Sequence, residues 1–132
     1  MTKKIYKGEA AVKKEVKKLL NKHKWFWWMT PANGYGSSGI SDFCAMRAGA
    51  FMAIETKFET NMPTALQVGY LNSVAAERGM AFVVDDKNLE WFKRWLELFD
   101  LMAERIAQKQ TLSQEEGAEL FNATKALTEK II

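Results

Sequence analysis

Residues 39–57 read GISDFCAMRAGAFMAIETK, and the way this stretch pairs with itself decides the fold. It reads as two β-strands joined by a tight turn at Ala48-Gly49. With a two-residue loop there, opposed residue numbers sum to 97, so Arg47 faces Ala50, Cys44 faces Ala53 and Asp42 faces Glu55. Directly opposed residues on one face hold their Cβ atoms roughly 4.5–5.5 Å apart. Side chains alternate along a strand, so Lys57 joins Glu55 on its face. A loop with an odd number of residues would shift the pairing by one and leave Asp42 without a facing partner.

Both faces of this hairpin are largely apolar. Cys44, Met46, Phe51 and Ala53 line one, and Phe43, Ala45, Met52 and Ile54 the other. That is the pattern of central strands covered on both sides. Asp42, Glu55 and Lys57 interrupt surfaces that would otherwise be buried, and buried charges need partners or a metal. A Lys57 ion pair with one acid, the other acid lying at a solvent edge, is one solution. It accounts for one acid but not for two that face each other. Two opposed acids with a lysine two residues on form the constellation of a divalent-metal site for phosphoester chemistry.

The remaining chain bounds what surrounds this hairpin. At 132 residues it is long enough for one domain with a core and too short for two. The lone Cys44 allows no internal disulfide and points to a reducing, cytoplasmic setting. The stretch MTKKIYKGEA lacks the apolar segment of a signal peptide, and the apolar run from Trp25 to Met29 is too short to span a bilayer. Net charge is +3, but residues 1–24 hold nine lysines against Glu9 and Glu15. Such a basic segment is either a solvated helix face or a phosphate-facing one, with Lys13 and Lys17 as candidate contacts.

In order along the chain, residues 8–23 carry Val12, Val16, Leu19, Leu20 and His23 at helical spacing. His23 reads as a helix-end residue rather than a ligand or base. Trp25 to Thr30 reads as an aromatic strand belonging to the core, stopped by Pro31. The loop from Pro31 to Ser38 is rich in glycine and small polar residues, and Asn33, Tyr35, Ser37 and Ser38 are its candidate nucleic-acid contacts. Thr64 with Gln67 forms a capping box opening a helix that Gly79 ends, although Gln67 also shares a stripe with Tyr70, Leu71 and Val74. Met80 to Val84 is a short buried strand returning parallel to its predecessor. Asp85-Asp86 closes it and favours the next helix's N-terminus over a metal. A third helix over about 88–108 has more apolar surface than one sheet contact uses, and Ser113 with Glu116 caps a fourth helix over about 114–130. The surplus is to be covered by that last helix or by a second subunit.

The predicted fold is α/β: an αβββαβ core with a mixed central sheet flanked by helices, plus two C-terminal helices. The order of elements resembles the PD-(D/E)xK nuclease superfamily, with its restriction-endonuclease-like core. More closely it resembles the virus-type replication-repair nuclease (VRR-Nuc) domain in its small, stand-alone, phage-like form. The resemblance rests on Glu9 with Val12 and Val16, on Gly39-Ile40-Ser41-Asp42, on Ile54-Glu55-Thr56-Lys57, and on Pro63-Thr64-Ala65-Leu66-Gln67 ahead of Gly79 and MAFVV. It covers about residues 8–86; residues 88–132 lie outside it. The family usually has proline where this chain has Ser41, and its helix-one glutamate corresponds to Glu9 or Glu15, with Glu9 the better spaced.

The resemblance implies a metal-dependent deoxyribonuclease acting on branched DNA, four-way junctions in particular, as a homodimer. It implies Mg²⁺ or Mn²⁺ held by Asp42, Glu55, the Thr56 main-chain carbonyl and Glu9, with Lys57 as the catalytic lysine and Gln67 bracing the site from its helix. The competing expectations are a flap-directed or nonspecific nuclease, and a catalytically silent DNA-binding module whose acids are structural.

Overall fold

The computed structural model describes residues 5–30 and 40–131. Eight elements follow in the order α1 (Glu9–Lys22), β1 (Phe26–Met29), β2 (Phe43–Arg47), β3 (Ala50–Thr56), α2 (Ala65–Ala76), β4 (Met80–Val84), α3 (Leu89–Ala107) and α4 (Gln114–Thr128). The strands form one mixed sheet in the order β1-β2-β3-β4. The first three are antiparallel and β4 lies parallel to β3. This is the expected α/β architecture, an αβββαβ core followed by two helices. Among the described residues no helix is long and apolar enough to cross a membrane.

The hairpin register is the one the sequence dictates: Arg47 pairs with Ala50, Cys44 with Ala53 and Phe43 with Ile54. Ala48 (φ 51°) and Gly49 (φ 80°) both take positive φ, the mark of a type I′ turn. That turn's twist matches the strands it joins, which keeps the loop at two residues. Ala48 is the strained member, because a side chain in the left-handed region costs about 1–2 kcal/mol.

Helices cover the sheet unequally. On one face α1, α3 and α4 enclose Phe43, Ala45, Met52, Ile54, Phe82 and Val84. On the other, α2 lays Leu71 over Ala53, Ala81 and Val83. The surplus apolar surface of α3 is taken up within the chain, since Ala123 and Leu127 of α4 are fully buried in the same cluster as Val12 of α1. The two C-terminal helices are thus part of the single core rather than an appendage to it.

Two sequence expectations are corrected. The aromatic strand is not core: β1 is an edge strand, and of its residues only Trp27 is half-buried, while Phe26, Trp28 and Met29 are exposed. The buried ring is Trp25, which precedes the strand and packs on Phe99 and Trp95. Gly79 is also not the left-handed residue that ends α2. Arg78 (φ 66°) holds that place, with its N–H on the Ala75 carbonyl and the Gly79 N–H on the Val74 carbonyl, both at 3.0 Å. These bonds make a Schellman motif. Glycine is needed at 79 because a Cβ would meet Val74 Cγ1 at 2.8 Å.

The ends of β4 and α1 settle as expected. Asp85 Oδ1 accepts the N–H groups of Lys87 and Asn88, both at 2.9 Å, and so closes the turn into α3. His23 caps the C-terminal end of α1, where its ring meets Asp100 at 2.6 Å and Arg47 reaches the same carboxylate.

The turn yields a test. Replacing the exposed Ala48 by Asn, which tolerates positive φ, should raise unfolding free energy by about 1 kcal/mol. Denaturant titration reads this as a higher midpoint at unchanged slope. A lower midpoint would mean that the turn is not type I′.

Candidate active site

The β2–β3 ladder stops at Phe43 and Ile54, one step short of the two acids. Asp42 lies at a bend just before β2 rather than inside a strand. Its main chain is still tied to β1: the Thr30 N–H donates to the Asp42 carbonyl at 3.2 Å, and the Thr30 hydroxyl to the Ser41 carbonyl at 2.5 Å. Where main-chain pairing ends, the Asp42 side chain replaces it. Its Oδ2 accepts the Thr56 N–H at 2.9 Å and the Thr56 hydroxyl at 2.5 Å. Asp42 is thereby fastened to the end of β3, beside Glu55.

Glu55 is buried, and its Oε2 has no hydrogen-bond partner. Burial pushes its pKa up from the ordinary 4.5 to about 8, helped by the Asp42 carboxyl both as a charge and as a hydrogen-bonding group; Lys57 pulls the other way and Glu9 adds to the rise. The Lys57 ammonium stands 3.8 Å from Glu55 Oε1, half out of solvent beside it. This is an ion pair, but Asp42 is not thereby released to a solvent edge: it is locked against Thr56. The two acids face each other as their register requires.

Helix α1 adds a further acid and a cation. Lys13 Nζ lies 3.4 Å from Glu9 Oε2 and 3.8 Å from Asp42 Oδ1. Glu9, not Glu15, is therefore the α1 glutamate on this side of the molecule. Glu15 instead pairs with Lys18 and with Lys93 of α3. Lys13, a candidate phosphate contact on the basic side of α1, is turned toward the two acids. Its signal was in the sequence, since residues four apart share a helix face and Glu9 precedes it by four. Glu9 stands behind this lysine, so a ligand role for it runs through an intervening group rather than by direct contact.

The other expected residues fall less centrally. Gln67 closes its capping box: Oε1 accepts the Thr64 N–H at 2.9 Å and the Gln67 N–H donates to Thr64 Oγ1 at 3.2 Å. Among the described residues no hydrogen bond carries it to Asp42, Glu55 or Lys57, and its Oε1 serves helix capping. Lys17 stays half-buried on α1. Asn33, Tyr35, Ser37 and Ser38 lie outside the described residues, as does Gly39.

Among the described residues no group of three or more His, Cys, Asp or Glu side chains is drawn together as a metal cage. The donors that do converge are the Asp42 and Glu55 carboxylates. Hard oxygen donors of this kind suit Mg²⁺ or Mn²⁺. A buried carboxylate oxygen with no partner, next to a second carboxylate, is where a divalent cation relieves both desolvation and repulsion. The residues present fit such an ion with two side-chain ligands.

The raised pKa of Glu55 makes stability depend on pH. A carboxyl whose folded pKa lies above its unfolded one stabilises the fold fully below pH 4.5, and that contribution is lost as pH climbs through about 8. In EDTA the unfolding free energy should fall over this window by an amount on the order of a few kcal/mol. Glu55→Gln should flatten the profile, and Mg²⁺ or Mn²⁺ should restore wild-type stability at the alkaline end. Equal slopes for the two proteins would refute the assignment. In comparison with known proteins, the chain matches no family model and no curated sequence.

Proposed function

We propose that this chain is a Mg²⁺- or Mn²⁺-dependent endodeoxyribonuclease that hydrolyses phosphodiester bonds in branched DNA. The observation that carries the reading is the facing pair, Asp42 and buried Glu55, with Lys57 3.8 Å from Glu55. Phosphodiester hydrolysis needs an activated water, relief of charge on the phosphoryl oxygens and a stabilised leaving oxygen. Asp42 and Glu55, with the Thr56 main-chain carbonyl, would hold the ion, which supplies a more acidic water and neutralises phosphoryl charge when bound. Lys57 orients the attacking water and stabilises the charge that develops on the phosphate. Lys13, already directed at Asp42, is placed to meet a phosphate oxygen from the α1 side. Asp42 owes its position to Thr56, whose N–H and hydroxyl both point at it.

A four-way junction is the finer substrate reading. Resolving it takes two cuts, and a two-fold dimer supplies two sites. The α3 surface that suggested a dimer is mostly covered by α4, which leaves Trp91, Ile106 and Phe121 as large exposed apolar side chains on these helices.

A second reading, a DNA-binding module with structural acids, draws on the two-carboxylate donor set, which among the described residues lacks a third acidic side chain in contact. Cleavage separates the two. Asp42→Ala, Glu55→Ala and Lys57→Ala should each reduce metal-dependent cleavage of labelled DNA to background while folding and DNA binding persist. Full activity in Lys57→Ala would remove it from the mechanism, and absence of cleavage by the wild type in either metal would favour the binding module. Four-way, flap and linear substrates assayed side by side rank the DNA structures. Sedimentation should give a dimer at working concentration, and a monomer would count against junction resolution.

A further inference from the structure

The register places three rows of side chains on one face of the sheet. Phe26, Met46 and Phe51 pair in the first row and Trp28, Cys44 and Ala53 in the second. The next step along the strands brings Thr30 beside Asp42, with Glu55 beyond. Strand side chains alternate, so every second residue faces the same way. Phe26 and Trp28 therefore stand on the same face as the two acids. The row of Trp28 is one two-residue step from that of Asp42, about 7 Å along the strand.

Helix α2 covers this face over β3 and β4 and reaches β2 through Tyr70, whose hydroxyl lies 3.7 Å from Cys44 Sγ. Over β1 it is open: Phe26 is 72% exposed, Trp28 39% and Met46 43%. The rings form a continuous surface, with centroids 5.6 Å apart between Phe26 and Trp28 and 6.5 Å between Trp28 and Phe51. The acids of this face lie at its borders, Asp42 and Glu55 one row beyond Trp28 and Glu77 beside Phe51 at the end of α2. Cations border it along the chain: exposed Lys24 precedes Phe26 by two residues, and Lys13 and Lys57 flank the acids.

We propose that Phe26 and Trp28 form a stacking platform for unpaired bases of a DNA strand whose phosphate lies at Asp42 and Glu55. The proposal rests on the nuclease reading above and deepens it by naming what the site selects: DNA unpaired next to the scissile phosphate. Every base has a π-face, so aromatic rings between cations bind single strands with little regard to sequence. Area argues against a second copy of the chain as occupant. Phe26, Trp28 and Met46 together present on the order of 300 Å², taking 150–250 Å² for a whole aromatic side chain. A stable protein interface takes about 800 Å² from each partner.

The test measures binding in EDTA, so that cleavage plays no part. The full chain is titrated against a fluorescently labelled duplex carrying a short oligo(dT) tail, and against a blunt duplex of equal length. Phe26→Ala with Trp28→Ala should weaken binding of the tailed duplex by about 10- to 100-fold while the blunt duplex changes little. Phe26→Tyr with Trp28→Phe should retain tail binding, because the rings remain. Trp28→Ala alone replaces the double variant if circular dichroism shows the latter unfolded. Equal losses on both probes, or none on the tail, would overturn the proposal. So would a double variant that turns a dimer into a monomer, since the patch would then join two copies. Failure of the nuclease reading is seen separately, as a wild-type protein that prefers the tailed duplex in EDTA yet cleaves it with neither Mg²⁺ nor Mn²⁺.

Discussion

A two-residue turn sets the arrangement of everything else in this chain. Because Ala48 and Gly49 both take positive φ, β2 and β3 pair in one register, and because strand side chains alternate, that register fixes which residues share a face. It puts Phe43, Ala45, Met52 and Ile54 against α1, α3 and α4. It puts Asp42 across from Glu55, just past the last paired residues. A slip of one residue would turn the core set outward and separate the acids together. The core and the site are therefore specified by the same constraint, and the apolar cost of a slip protects the acid pair.

The acid pair is held against its own electrostatics. Glu55 is buried beside Asp42 with one oxygen unpaired, and the chain answers only in part, through Lys57 and the field of Lys13 on Asp42. Asp42 is spared that problem by accepting two hydrogen bonds from Thr56. The pair is thus asymmetric, with one carboxyl anchored and the other strained by desolvation. A cation bound between them would gain more than one bound by two solvated carboxylates, because part of the desolvation is already done by folding.

Much of this was legible in the sequence, and the reasons differ by residue. The hairpin, the helices and both capping boxes follow from local rules that the structure keeps, as Thr64 with Gln67 and Ser113 with Glu116 show. The facing acids were legible because the turn length determines the pairing. The burial of β1 was not, since an aromatic run reads the same on a central strand and at an edge; only tertiary order distinguishes them. For Lys13, helix periodicity gives a face but not the neighbour it meets, so its approach to Asp42 is seen only in the tertiary structure. Gln67 fits two roles on one helix turn, and its single carbonyl oxygen goes to the nearer donor, the Thr64 N–H.

The last helix reaches further than its distance from the hairpin suggests. Ala123 and Leu127 close the cluster that begins with Val12, and Lys130 ties Asp85 to the main-chain carbonyls of Glu59 and Asn61 just after β3. These contacts join the two ends of the described chain across more than a hundred residues of sequence. A chain emerging from the ribosome would carry its hairpin long before the helix that buries one side of it. The face behind the hairpin, formed by Phe43, Ala45, Met52 and Ile54, would lack its last cover until α4 had emerged, so a growing chain would carry the facing acids before the core that fixes the register they depend on.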